Sequence, residues 1–181
     1  MRPMTRPTRL LDRLSRLIQN EGHAFGLKPT QWEVLRYLGM ANRFSRQPAA
    51  ITAYLGVTKG TVSQSLMALE KKGFVEKTPI AGDKRKVDID LTEAGRDLLD
   101  KDPLAALDRL IVNLGAEERH VLEAQLEWVL RGWLTERGGR AFGVCKTCRY
   151  FETDNDAARC GLLGVDLRPD ECAMICVEQT I

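Results

Sequence analysis

The chain has 181 residues, a formal net charge of +2, 44% hydrophobic and 29% charged residues, and five cysteines. That length buries one core, or one core with a small appendage, but not two full-sized domains. No apolar run approaches the roughly 18 residues that span a bilayer, and the basic opening MRPMTRPTRL lacks a secretory apolar stretch, so no membrane partner and a cytoplasmic location are expected.

Leu10, Leu11, Leu14, Leu17 and Ile18 recur at helical spacing, with arginines at 9, 13 and 16 on the remaining surface, which predicts an amphipathic helix ending near Gly22. A second helix is expected to start at Thr30 as N-cap, with Glu33 completing a capping box and Trp32, Val34, Leu35 and Leu38 as its apolar residues. Pro48 starts a third, running through Ile51 and Leu55 to a stop at Gly56. Thr58 caps a fourth, whose buried stripe is Val62, Leu66 and Leu69 before Gly73 ends it. Val75 to Ile80 and Lys86 to Leu91 read as the strands of a hairpin with a basic tip at 81–85. Thr92 caps the next helix, and Asp102-Pro103 restarts or kinks it before Leu104, Leu107, Leu110, Ile111 and Leu114 continue its stripe. After Gly115, Leu122, Leu126, Val129, Leu130 and Trp133 mark a last long helix that frays into a glycine-rich linker at 136–140. The chain thus divides into a mainly helical unit with a small β-hairpin, residues 1–137, and a cysteine-rich unit, residues 138–181.

Residues 51–66 place two short helices around a glycine turn, and the second opens with small polar residues, as a helix whose N-terminus enters a major groove must. The DNA contacts are expected from Thr58, Lys59, Thr61, Ser63, Gln64 and Ser65, with Thr61, Gln64, Ser65 and Ala68 sharing the face away from the apolar stripe. Serine and threonine at a helix start often do no more than cap, and glycine turns are common between helices. The hairpin that follows favours the DNA reading, because Arg85, flanked by Lys84 and Lys86, would sit where a guanidinium can reach a narrow minor groove. Asp83 either orients Arg85 or favours the turn.

Leu55-Gly56-Val57-Thr58 with Thr61-Val62-Ser63, then Leu69-Glu70-Lys71-Lys72-Gly73-Phe74-Val75, resemble the MarR family of bacterial repressors. Asp83-Lys84-Arg85-Lys86-Val87 followed by Leu91-Thr92-Glu93-Ala94-Gly95 is similar to that family's wing and the start of its next helix, and the likeness covers roughly residues 8 to 137. The resemblance implies a winged helix-turn-helix homodimer whose first and last helices interlock, two lobes that read a palindromic operator in double-stranded DNA, and repression. It also allows a small-molecule effector, for which no convergent polar set stands out. The broad apolar faces of the first and the last two helices agree with a dimer, since half-site readers use two-fold symmetry.

All five cysteines fall between Cys145 and Cys176, and in a reducing compartment clustered thiols point to metal ligation rather than disulfides. Cys145-Lys146-Thr147-Cys148 can put two thiolates on one metal, and Cys160 with Cys176 can complete a four-sulfur shell. Pro169, Asp170 and Glu171 suggest a helix that sets Cys172 and Cys176 one turn apart, with Cys172 the alternative fourth ligand. Zinc is slightly favoured, as the commonest structural solution for a unit too small for its own core. A [4Fe-4S] cluster is the other candidate, on the isolated third and fourth cysteines and the adjacent Tyr150 and Phe151. The tail is then a structural staple or a metal or redox sensor. A thiol-disulfide dithiol is disfavoured because no strand is expected before Cys145.

His23 and His120 stand alone, and Trp32, Trp128 and Trp133 suit helix packing. With no phosphate loop and no Ser/His/Asp set, no enzyme is expected. The competing reading is a winged-helix protein-protein adaptor with a structural zinc unit and no DNA binding.

Overall fold

The computed structural model describes residues 3–80, 82–139, 142–154 and 157–180, with the backbone alone at 83–85. Helices α1 (Arg6–Glu21), α2 (Pro29–Met40), α3 (Pro48–Leu55) and α4 (Lys59–Lys71) precede the hairpin strands β1 (Val75–Ile80) and β2 (Asp83–Leu91). Helices α5 (Glu93–Leu99), α6 (Ala105–Val112) and α7 (Ala116–Glu136) follow. The tail holds short strands β3 (Gly143–Val144), β4 (Phe151–Asp154), β5 (Ala157–Cys160), β6 (Val165–Leu167) and β7 (Ile175–Cys176). No helix among the described residues is long and apolar enough to cross a membrane.

The core is built around α2, which buries Trp32, Val34, Leu35, Tyr37 and Leu38 against Ile51 of α3, Val62, Leu66 and Leu69 of α4, Ile89 of β2 and Leu98 of α5. Burial of each such side chain is worth about 1.5–3 kcal/mol, which makes α2 the mast that holds the reading elements. It begins at Pro29, with Lys28 as cap, rather than at Thr30. Proline has no N–H to leave unpaired at a helix start, and Gln31 Oε1 accepts from Lys28 N at 2.9 Å, so the expected Thr30–Glu33 box is not needed.

Between α3 and α4 the chain turns at Gly56, whose φ of +64° lies in the left-handed region. Thr58 Oγ1 then accepts from Thr61 N at 3.1 Å and starts α4 as expected. Strands β1 and β2 pair antiparallel from Val75↔Leu91 to Pro79↔Val87, with a register shift between Pro79 and Ile80. The second strand starts at Asp83, ahead of the expected Lys86. Thr92 Oγ1 caps α5 by accepting from Gly95 N at 3.0 Å and donates to Gly73 O at 2.6 Å. A Cβ on Gly95 would stand 2.1 Å from Phe74 O. Threonine and glycine at these two positions therefore let α5 lie directly on the root of the hairpin.

Asp102 takes two hydrogen bonds from Arg36, at 2.6 and 2.7 Å, and one from Leu104 N at 2.8 Å, so it ties the α5–α6 turn to α2. Helices α1, α6 and α7 bury no residue. Trp128 and Trp133 lie 78% and 57% exposed on α7, so of the three tryptophans only Trp32 packs in this chain's own core.

The tail forms the antiparallel sheet β4-β5-β6 and the pair β3-β7. The expected helix over Cys172 and Cys176 is absent: a 3-10 turn, Pro169–Ala173, gives way to β7. Pairing of Ile175 with Val144, and of Cys176 with Gly143, draws this segment into a strand instead. A two-residue strand does precede Cys145, contrary to expectation, but it leads into a single 3-10 turn rather than an α-helix. Ile175 and Val177 pack against the winged core, so the tail is anchored on the first unit.

Candidate nucleic-acid interface and cysteine centre

Helix α4 presents its N-terminal turn to solvent beside the hairpin. Thr58, Lys59, Ser63 and Gln64 are exposed, and Thr61 has its hydroxyl 2.9 Å from that of Thr58. Ser65, expected on the same outer face, is 7% exposed and belongs to the core side. It follows Val62 by three positions and precedes Leu69 by four, so it lies on the buried stripe. The exposed face instead runs Gly60, Ser63, Gln64 and Met67, with Met67 53% exposed. Sequence reasoning misses Met67 because an apolar residue in a helix reads first as core, whereas its phase against the stripe puts it outside.

Between α3, the start of α4 and the hairpin lies an open groove of about 490 Å³, with Thr52, Lys59, Ser63, Lys77 and Lys86 on its walls. Three lysines from α4 and the hairpin thus face one groove, while Glu70 pairs with Lys77 at its edge. The side chains of Lys84 and Arg85 lie outside the described residues; their backbone belongs to β2.

The second constellation is the cysteine centre. Cys145, Cys148, Cys160 and Cys176 line one small cavity together with Tyr150 and Phe151. Cys172 does not line it; its Sγ lies 3.6 Å from Arg168 O. Four thiols on one cavity are the right donors for a thiophilic metal. Among the described residues, however, no three His, Cys, Asp or Glu side chains converge closely enough to ligate one ion. The Cys176 thiol is pulled down, first by the hydrogen bond from Cys145 and further by donors from Asn42 and Glu178 N, against the effect of burial. Cys145 is pushed up, by its role as donor to Cys176 and by burial.

The loop between α2 and α3 holds this centre to the winged core. Asn42 Nδ2 donates to Cys145 Sγ at 3.3 Å, and Asn42 N donates to Ile175 O at 2.9 Å. Val177 N donates to Ser45 Oγ at 2.9 Å. Arg43 meets the fully buried Glu171 at 3.0 Å and donates to Asp166 O at 2.8 Å. Phe142 stands edge-on to Tyr54 of α3 at 5.1 Å. None of these partners is legible in the sequence, because each pairs residues about a hundred positions apart without a shared motif.

Residues 25–86 match the model of the MarR family. The HTH-type transcriptional regulator SarZ of Staphylococcus saprophyticus is 32% identical over 89 residues, which cover 49% of this chain and 58% of that protein. The chain therefore spans less than two thirds of that curated relative. Of solved structures, wild-type MarR from E. coli in its apo form is 26% identical with a TM-score of 0.53, covering 72% of this chain and 98% of that one. MepR of S. aureus in its DNA-binding conformation shares the fold at 24% identity, with a TM-score of 0.62 over 71% of this chain and 99% of its own. Through its helix-turn-helix, its wing and the helices that frame them, this chain is similar to members of the MarR family.

Proposed function

We propose that the protein is a homodimeric, sequence-specific DNA-binding regulator, a repressor acting in the cytoplasm, with a metal held by its C-terminal cysteines. The observation that carries the DNA reading is the groove where the exposed start of α4 meets the wing with Lys59, Lys77 and Lys86 on its walls. Helix α4 enters the major groove with Ser63, Gln64 and Met67 toward the bases, Thr58 and Lys59 lie against phosphates, and the wing carries Arg85 toward the minor groove. A match to a family of transcriptional regulators supports the same reading. Dimerisation is supported by α1, α6 and α7, which leave Leu10, Leu14, Leu17, Leu110, Leu130 and Trp133 largely exposed within one chain.

Cys145, Cys148, Cys160 and Cys176 are the proposed metal ligands. Zinc is preferred to a [4Fe-4S] cluster because four thiolates around one zinc are the commonest structural solution for a unit too small for its own core. Metal content and the visible spectrum of protein purified without oxygen distinguish the two, since a cubane brings iron and broad visible absorption. Neither metal would reject this part of the reading.

The DNA reading is tested by the salt dependence of binding to duplexes selected from a randomised pool. Lys59→Ala and Arg85→Ala should each reduce the slope of log K against log salt by about one. Gln64→Ala should relax sequence preference at one position at a cost of about 1–3 kcal/mol. Binding to no duplex would leave the adaptor reading in its place.

A further inference from the structure

Asn42 and Ser45 are polar, fully buried, and sit in the connection from α2 to α3, far in sequence from the cysteines they face. Asn42 is used from both ends. Its Nδ2 donates to Cys145 Sγ at 3.3 Å, while its Oδ1 accepts from Ser45 Oγ at 2.7 Å and from Phe44 N at 3.1 Å. Ser45 in turn accepts from Val177 N, and Asn42 N holds Ile175 O, so the residues on either side of Cys176 are both bound by this loop. The same loop sets the reading elements. Tyr37 OH donates to Ser45 O at 2.7 Å, Ile89 N of β2 donates to Arg46 O at 2.9 Å, Arg46 pairs with Asp90, and α3 begins at Pro48.

We propose that Asn42 and Ser45 are the positioning residues of the cysteine centre, supplied by the winged unit, and that loading of the centre sets through them the placement of α3 and the root of the wing. The inference rests on the reading that the cysteines hold a metal. Hydrogen bonds to a ligating sulfur hold it in place and tune the bound metal, and a buried amide that loses its acceptor must find another or move. Movement of Asn42 displaces Ser45 and Phe44, which lie just before Pro48 and the start of α3. Loading thereby favours one arrangement of a loop to which both the sulfur centre and the reading head are bonded, as coupling between two sites requires.

Full-length protein is loaded with Co²⁺, whose sulfur-to-metal absorption reports thiolate ligation, and DNA affinity is measured before and after its removal by a chelator. The wild type should show an affinity change on the order of tenfold, within the usual range of site-to-site coupling. Asn42→Asp keeps the acceptor for Ser45 and Phe44 but loses the donor to sulfur. It should shift the Co²⁺ absorption, lower Co²⁺ affinity about tenfold or more, and shrink the loaded-to-stripped ratio to near one, with an unchanged far-ultraviolet circular dichroism spectrum. If that variant does not fold, Ser45→Ala decides by the same ratio, which should also shrink. A variant with wild-type absorption and wild-type ratio overturns the inference while the metal reading stands. Wild type that loads but shows equal affinity in both states overturns the coupling alone. Wild type that takes up no Co²⁺ removes the metal reading, and this inference with it.

Discussion

Gly95 decides how closely α5 can approach the hairpin, because any Cβ there meets the carbonyl of Phe74 at 2.1 Å, and that oxygen already accepts from Thr92 N. Backbone cannot yield as a side chain tip can, so Gly95→Ala should lower stability by about 1–3 kcal/mol, read as a lowered midpoint in thermal unfolding. At Gly56, where a left-handed φ is needed but nothing stands near a Cβ, the same substitution should cost less. The residues with local jobs are legible from sequence alone: Thr58 and Thr92 cap because their hydroxyls bond an amide three residues on. Ser65 is misplaced by the same kind of reading. Its polarity suggests the outer face, but the position of a residue on a helix is set by its phase against the apolar stripe, and the phase puts it inside.

Elements are joined by two acidic residues with opposite behaviour. Burial pushes the Asp102 carboxyl up, but hydrogen bonds from Arg36 and Leu104 N outweigh it and hold it below its ordinary 3.8. Its contribution to stability is therefore complete above 3.8 and is lost as pH falls through the lowered value. Asp88 on β2 is pushed above 3.8 by burial and by Asp90, against Arg46 and the amide of Ile89, and its Oδ1 has no hydrogen-bond partner among the described residues. Ionised Asp88 thus weakens the fold at neutral pH, and the penalty is relieved as pH falls through the raised value. Thermal unfolding from about pH 3 to 7 should show Asp88→Asn more stable than wild type at neutral pH, the gain fading toward 3.8. Asp102→Asn should be less stable at neutral pH, its loss fading only below 3.8. The helices and the hairpin can be read from spacing and caps except at single boundaries, as at the start of α2 and of β2, but what links them cannot. Arg36 and Asp102 stand 66 positions apart, and β7 forms where a helix is expected because its partner strand β3 lies far earlier in the chain.

In the whole molecule the apolar surface is divided unevenly. Around α2 it is buried almost completely, whereas Leu10, Leu14 and Leu17 of α1 and Leu126, Leu130 and Trp133 of α7 remain 42–57% exposed. Contiguous exposed apolar residues on terminal helices are costly in water unless another surface covers them, and a second copy is the cover proposed above. Leu17→Asp combined with Leu130→Asp should leave the winged core intact, because neither residue belongs to it. Sedimentation should then show a monomer. The monomer should keep its weak affinity for nonspecific duplex but lose about half of the salt slope, since each lobe neutralises its own set of phosphates. A double variant that sediments and binds as wild type does would place the dimer contact elsewhere. A variant that sediments as a monomer with an undiminished slope would show that one lobe supplies all the phosphate contacts, so that the pair of lobes adds register on a palindrome rather than charge.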